Sequence, residues 1–162
     1  MEEIARRANI GKSTIYEYFP SKLDLLNATG EFFLNKIILD VKQQFTAKRP
    51  VRQAIGDYLI YVNSLLGCLG ANILHMVGSN EVTETIHSLC IKYFQEMNDI
   101  MIDVLHRAQQ TNEIAPDINV PTAAALIISL PNPPFLSAMT QEELHLSIDN
   151  FLDLLFAGLA PR

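Results

Sequence analysis

Met1 to Lys22 reads MEEIARRANIGKSTIYEYFPSK, and this stretch decides the fold class. Ile4, Ala5 and Ala8 recur at helical spacing and make one short apolar stripe. Asn9, Ile10 and Gly11 supply a tight turn. The next helical run stops at Pro20, because the residue before a proline avoids the helical region. Ile10, Ile15 and Phe19 are spaced to close over the first stripe. Two short helices around a tight turn make a helix-turn-helix pattern, whose second helix enters the major groove while the first crosses the backbone.

The helical period continues outward from there. Ser21 is placed as an N-cap, with Asp24 in the first turn, where the helix dipole favours a carboxylate. Leu23, Leu26, Gly30, Phe33, Ile37 and Val41 recur at three- to four-residue steps, so a long helix is predicted, ending before Lys48. A further helix starts near Pro50 and Val51 and buries Ala54, Ile55, Tyr58, Leu59, Val62 and Leu66. Gly67, Gly70 and Gly78 are expected to interrupt or bend the chain beyond it. Thr83 to Gln110 carries Ile86, Cys90, Tyr93, Met97, Ile100, Val104 and Ala108 on one face. Residues 111–119 read as a loop, and Val120 to Leu130 as a helix that is apolar nearly all round. Pro131 to Pro134 breaks it. Thr140 and Glu143 then form a capping box for a last helix with Leu144, Ile148, Phe151, Leu155 and Leu159 on one stripe. No stretch alternates as a strand does, so the fold class is all-α.

Composition narrows the function. The 162 residues are 49% apolar, enough for a sizeable core, and carry a net charge of −6. Nine basic and six acidic residues give positions 1–52 a net of +3, whereas three and twelve give 53–162 a net of −9. A mildly basic front joined to an acidic body suits a phosphate-facing segment on a soluble carrier. No apolar run is long enough to span a bilayer, and the start has no secretory pattern, so no membrane partner and a cytoplasmic location are expected. Cys68 and Cys90 sit far apart on apolar helical segments and read as reduced core thiols. His75, His87, His106 and His145 show no metal-ligand spacing, and there is no phosphate loop or nucleophile elbow. No catalytic residues, metal or cofactor are expected.

The stretch IARRANIGKSTIYEYFPSK, Ile4 to Lys22, resembles the DNA-binding segment of TetR-family transcriptional regulators. That family's pattern runs roughly I-A-x-x-A-G-V-S-x-x-T-[IL]-Y-x-[YH]-F-x-S-K. Ile4, Ala5, Ala8, Thr14, Ile15, Tyr16, Tyr18, Phe19, Ser21 and Lys22 fall on matching positions. Asn9 stands where glycine is usual, and asparagine tolerates a left-handed turn better than most residues. Gly11 takes a place often held by serine. The resemblance implies an all-helical homodimer. Residues 1–45 would be the DNA-reading domain with its connecting helix, and residues 46–162 the ligand-binding and dimerisation body. It implies repression of transcription, relieved when a small molecule enters the body, and pairing through the last two helices. It also implies a further helix ahead of the position of Met1. Without that cover the face of Ile4, Ala5, Ile15 and Phe19 forfeits about 1.5 to 3 kcal/mol per uncovered side chain. Weak or absent specific DNA binding is therefore expected of these 162 residues.

Site residues are drawn from the motif and the helix faces. The resemblance assigns contact with double-stranded operator DNA to Lys12, Ser13, Thr14, Tyr16, Glu17, Tyr18 and Lys22, with Arg6 and Arg7 as added phosphate contacts. The plain alternative is a solvated helix start whose tyrosines pack on their own core. Tyr58, Tyr61, His75, His87, Tyr93, Phe94 and Met97 are the candidates to line a small-molecule pocket; aromatic and methionine residues at helical spacing also serve simply as core. Ile127, Leu130, Leu144, Ile148, Phe151, Leu152 and Leu155 are the candidate homodimer face, against the alternative of deep intrachain helices. A rival function is a dimeric ligand-binding or protein-interaction module that does not bind DNA.

Overall fold

The computed structural model describes residues 1–46, 49–76, 80–130 and 140–159; the side chains of 46, 66–76, 80, 141 and 159 lie outside the description. Among the described residues there are seven helices and no strand. They are α1 (Glu2–Ala8), α2 (Lys12–Tyr18), α3 (Lys22–Thr46), α4 (Val51–Met76), α5 (Asn80–Gln110), α6 (Val120–Ser129) and α7 (Gln141–Leu159).

The starts and stops follow local chemistry. Asn9 ends α1 in the left-handed region at φ 55°, and its amide and that of Ile10 bond back to the Arg6 and Ala5 carbonyls. Ser21 and Asp24 form a reciprocal capping box that starts α3: the Ser21 amide donates to Asp24 at 2.9 Å, and the Asp24 amide donates to Ser21 Oγ at 3.1 Å. Thr140 and Glu143 do the same for α7. Asn112, at φ 63°, turns the chain out of α5. Gln109 Nε2 then donates to the carbonyls of Ala115, Pro116 and Ile118 at 3.2, 3.2 and 3.1 Å, which folds the loop over the fully buried Ile114. Asn119 Oδ1 accepts from the Thr122 amide and caps α6.

One core joins the body. α3 crosses α5, α5 carries α6 on another face, and α4 packs against α7. Val41, Ile55, Leu59, Met101, Leu105, Ala124, Ile127 and Leu152 are among its buried members. Each such valine, leucine, isoleucine or methionine side chain contributes about 1.5 to 3 kcal/mol when fully buried. Two glycines set close approaches. A Cβ at Gly56 would meet Leu152 Cδ1 at 3.1 Å, and one at Gly30 would run into the Leu89 side chain, so α7 and α5 come in tightly at those points.

Several details differ from the sequence reading. Gly67 and Gly70 do not interrupt α4, whose helical backbone runs on to Met76; a glycine inside a helix costs only about 1 kcal/mol. α5 begins at Asn80, three residues before Thr83. Ile4 and Ile10 do not close over the reader: they stay 40% and 48% exposed, because two seven-residue helices share one narrow contact and Ala5 and Ile15 fill it. The Pro131–Pro134 break, Gly78, Cys68 and the side chains of Leu66 and Leu159 lie outside the described residues.

Candidate nucleic-acid interface and body interior

The N-terminal surface is built on Ile15. This side chain is buried, and at about 100° per residue it turns Ser13 and Glu17 to the opposite, solvent side of α2. Lys12 and Tyr16 flank that face, and Tyr18 projects from the end of the helix. Thr14 is half-buried at the edge. Gly11 has an extended backbone at φ −67° and ψ 145°, and a Cβ there would find only ordinary contacts. A serine would fit equally well, so glycine is not required by the turn.

The charges are already partly engaged. Glu3 accepts from Arg6 at 2.7 Å and from Arg7 at 2.9 Å, and these two guanidinium groups hold its carboxyl below the usual glutamate value. Lys12 Nζ lies 3.8 Å from a Glu2 oxygen. Lys22 is exposed and has no ion-pair partner among the described residues. The Ser21–Asp24 box fixes Lys22 at the first position of α3, directly after α2. The seven residues expected at DNA thus share one end of the molecule. All are solvent-exposed except Thr14, which is half-buried.

The body interior divides the pocket candidates. Tyr58 is buried, its ring 6.0 Å from that of Phe45, and the Tyr93 phenol lies near its hydroxyl. Burial pushes both phenols up. Met97 is buried on the same face of α5 as Tyr93. Tyr61 donates to Asp40 at 2.9 Å; burial, aided by that carboxylate, pushes the Tyr61 hydroxyl up to about 12. His87 is exposed, and Phe94 sits at the rim, 49% exposed with its ring edge-on to that of Tyr93 at 5.7 Å. His75 lies outside the described side chains.

Two polar partners escaped the sequence reading. Asn63 is buried: its Nδ2 donates to the Leu59 carbonyl at 2.8 Å, and its Oδ1 has no partner among the described residues. An orphan acceptor in a core is costly unless something fills it. A lone asparagine within the apolar run LIYVNSLL was the available signal. Asp40, the partner of Tyr61, lies on a different helix and left no local trace.

The dimer candidates divide by burial within this chain. Ile127, Ile148 and Leu152 are buried inside this chain, and Leu130, Leu144, Phe151 and Leu155 pack partly against the same core. α6 spends its inner face on α5, and α7 spends its inner face on α4. The exposed apolar residues of these helices are instead Leu126, Leu146 and Leu154, at 58%, 62% and 77%.

No helix among the described residues is long and apolar enough to cross a membrane. Among those residues no group of three or more His, Cys, Asp or Glu is placed to hold a metal ion.

Residues 1–29, which contain α1, α2 and the start of α3, match the model of the family described as bacterial regulatory proteins, tetR family. No curated protein matches the sequence. Solved structures do match the fold. The transcriptional regulator FadR from Bacillus subtilis, solved in complex with stearoyl-CoA, is 20% identical with a TM-score of 0.67, over 98% of this chain and 87% of that one. The fatty acid degradation regulator FadR from Bacillus halodurans is 17% identical with a TM-score of 0.68, over 99% and 86%. GusR from Salmonella enterica is 19% identical with a TM-score of 0.70, over 98% and 83%. At these identities the likeness is one of fold.

Proposed function

We propose, from the premise that this chain belongs through its N-terminal segment to the tetR family of bacterial regulatory proteins, that it regulates transcription by binding operator DNA in response to a small molecule. The observation that carries the reading is a coincidence of two results. The stretch matched by the family is the same stretch that folds as two short helices around a left-handed turn, with a polar, exposed face on the second. Docked in a major groove, that face would bring Ser13, Tyr16 and Glu17 to the base edges, with Lys12, Tyr18 and Lys22 toward phosphates. Repression is the proposed outcome of binding. No catalytic role is proposed.

The body is proposed as the ligand-binding part, from residue 46 onward. The FadR from Bacillus subtilis holds stearoyl-CoA, and the shared fold makes a small-molecule effector reasonable here. Tyr58, Tyr61, Tyr93, Met97 and the open Oδ1 of Asn63 are the groups proposed to meet it. Pairing of two copies is proposed through Leu126, Leu146 and Leu154, with the partly buried Phe151 and Leu155 at the margin. Two readers would then face successive grooves about 34 Å apart.

The test is selection of bound duplexes from a random pool by this chain extended with the N-terminal helix that the resemblance implies, followed by a salt titration of the winner. Recovery of a two-fold symmetric sequence is expected. Lys22→Ala should lower the slope of log affinity against log salt by about 0.9, the value for one lost phosphate contact. No enrichment, with a Lys22→Ala slope equal to that of the parent, would remove the proposal.

A further inference from the structure

The ends of α3 and α5 meet the start of α4 around an open cleft of about 760 Å³. Its floor is apolar: Phe45, Ala54, Val104 and Ala108 line it, and all four belong to the buried core. Its wall carries two guanidinium groups, Arg49 and Arg107, and the Glu113 carboxylate. The carboxylates nearby already have partners. Asp57 accepts from Arg49. Glu113 accepts from the Val51 amide at 2.7 Å and from Thr111 Oγ1 at 2.9 Å, so the amide that opens α4 is already satisfied.

The two arginines are left under-used. Arg49 donates to Asp57 and, at 2.9 Å, to the Gln44 carbonyl, yet its Nε–H is buried without an acceptor among the described residues. The Arg107 Nε–H reaches only the Asp103 carbonyl at 3.4 Å, and Arg107 has no carboxylate partner among the described residues. A buried donor without an acceptor is rare and costly in a native structure. An anionic oxygen is the group that satisfies guanidinium donors best. The volume falls in the range that holds small organic ligands, and a pocket with an apolar floor and a few placed polar groups is their usual setting.

We propose that this cleft binds a small amphipathic carboxylate, its charged end on Arg107 and the Arg49 Nε–H and its hydrocarbon or aromatic body on the floor formed by Phe45, Ala54, Val104 and Ala108. The site is separate from the Tyr58–Tyr93 interior and does not depend on how that interior is used. Arg49 also grips the last turns of α3 through Gln44, so an occupant would touch the helix that begins beside α2.

Calorimetric titration of the full chain with octanoate and with octanol tests the proposal. Octanoate should bind saturably and at least about tenfold more tightly than octanol, the contribution expected of a charge-assisted hydrogen bond. Arg107→Gln, at an exposed position, should remove that preference and leave octanol binding unchanged. Ala108→Phe, which fills the floor, should weaken both. Tyr58→Phe should leave octanoate binding intact, which separates this cleft from the interior. Absence of octanoate binding, equal binding of acid and alcohol, or loss of binding in Tyr58→Phe with none in Arg107→Gln would each overturn it.

Discussion

Replacing Ile127 with alanine separates the chain's own core from the face that pairs two copies. The side chain is fully buried, in the cluster that joins α5 and α6. Removing it deletes apolar surface and leaves a cavity, and such changes cost about 2 to 5 kcal/mol. In a domain of this size each kcal/mol lowers the melting temperature by about 2 to 4 °C, so a mid-range loss of about 3 kcal/mol gives a fall of roughly 6 to 12 °C. Leu126, the neighbouring residue, is 58% exposed, so Leu126→Ala should stay within about 0.5 kcal/mol in the isolated chain. Leu154→Asp should likewise preserve the fold but abolish pairing. The assay is urea unfolding at two widely separated protein concentrations, with molar mass from light scattering. The Ile127→Ala loss should persist at the low concentration, whereas the effects of Leu126 and Leu154 substitutions should appear only where copies pair. If Ile127→Ala kept full stability yet became monomeric, Ile127 would be an interface residue and the core assignment would fail. An unchanged dimer mass in Leu154→Asp would refute the proposed face.

The reader and the caps give further expected outcomes. Glu3→Gln releases Arg6 and Arg7 from their shared carboxylate; DNA affinity should rise at low salt, and the salt slope should steepen by up to about 0.9 for each guanidinium that gains a phosphate. An unchanged slope would mean that neither arginine reaches DNA. Ser21→Ala removes the hydroxyl that caps α3 and should cost about 1 kcal/mol in thermal unfolding; no loss would show that the box does not form in solution. Glu143 is held below the ordinary carboxylate value by the Thr140 amide and hydroxyl. A lowered folded value makes its contribution present above the ordinary glutamate range and lost as pH falls through the folded value. Wild-type stability should therefore fall more steeply than that of Glu143→Gln on the acid side of that range. Matching acid profiles would contradict the bond.

The helices were legible because each carries its own local signals. The Ser21 and Thr140 boxes, the Asn9 turn and the loop after Gln110 are written in residues a few positions apart. So was the motif of Ile4 to Lys22, since its spacing reflects one short helix set against another. What packs against what was less legible. An all-round apolar α6 reads the same whether its hidden side meets another copy or α5, and only the tertiary arrangement sends Ile127 inward and Leu126 outward. The same reason turned His87 to solvent and left Phe94 at the rim. The Tyr61–Asp40 bond and the Val51–Glu113 bond join residues 21 and 62 positions apart, distances over which sequence periodicity carries no information.

The central claim is that α2 reads base sequence. Its most direct measurement is the ratio of equilibrium affinities for the selected duplex and for a scrambled duplex of equal length, at one stated salt concentration. The ratio isolates base readout from phosphate attraction, so it holds even where absolute affinity is low. A preference of at least about tenfold, the readout of one base pair, is expected, falling toward unity when Ser13, Tyr16 and Glu17 are replaced together by alanine. Equal affinities for the two duplexes, measured with this chain extended by the N-terminal helix that the resemblance implies, would contradict it.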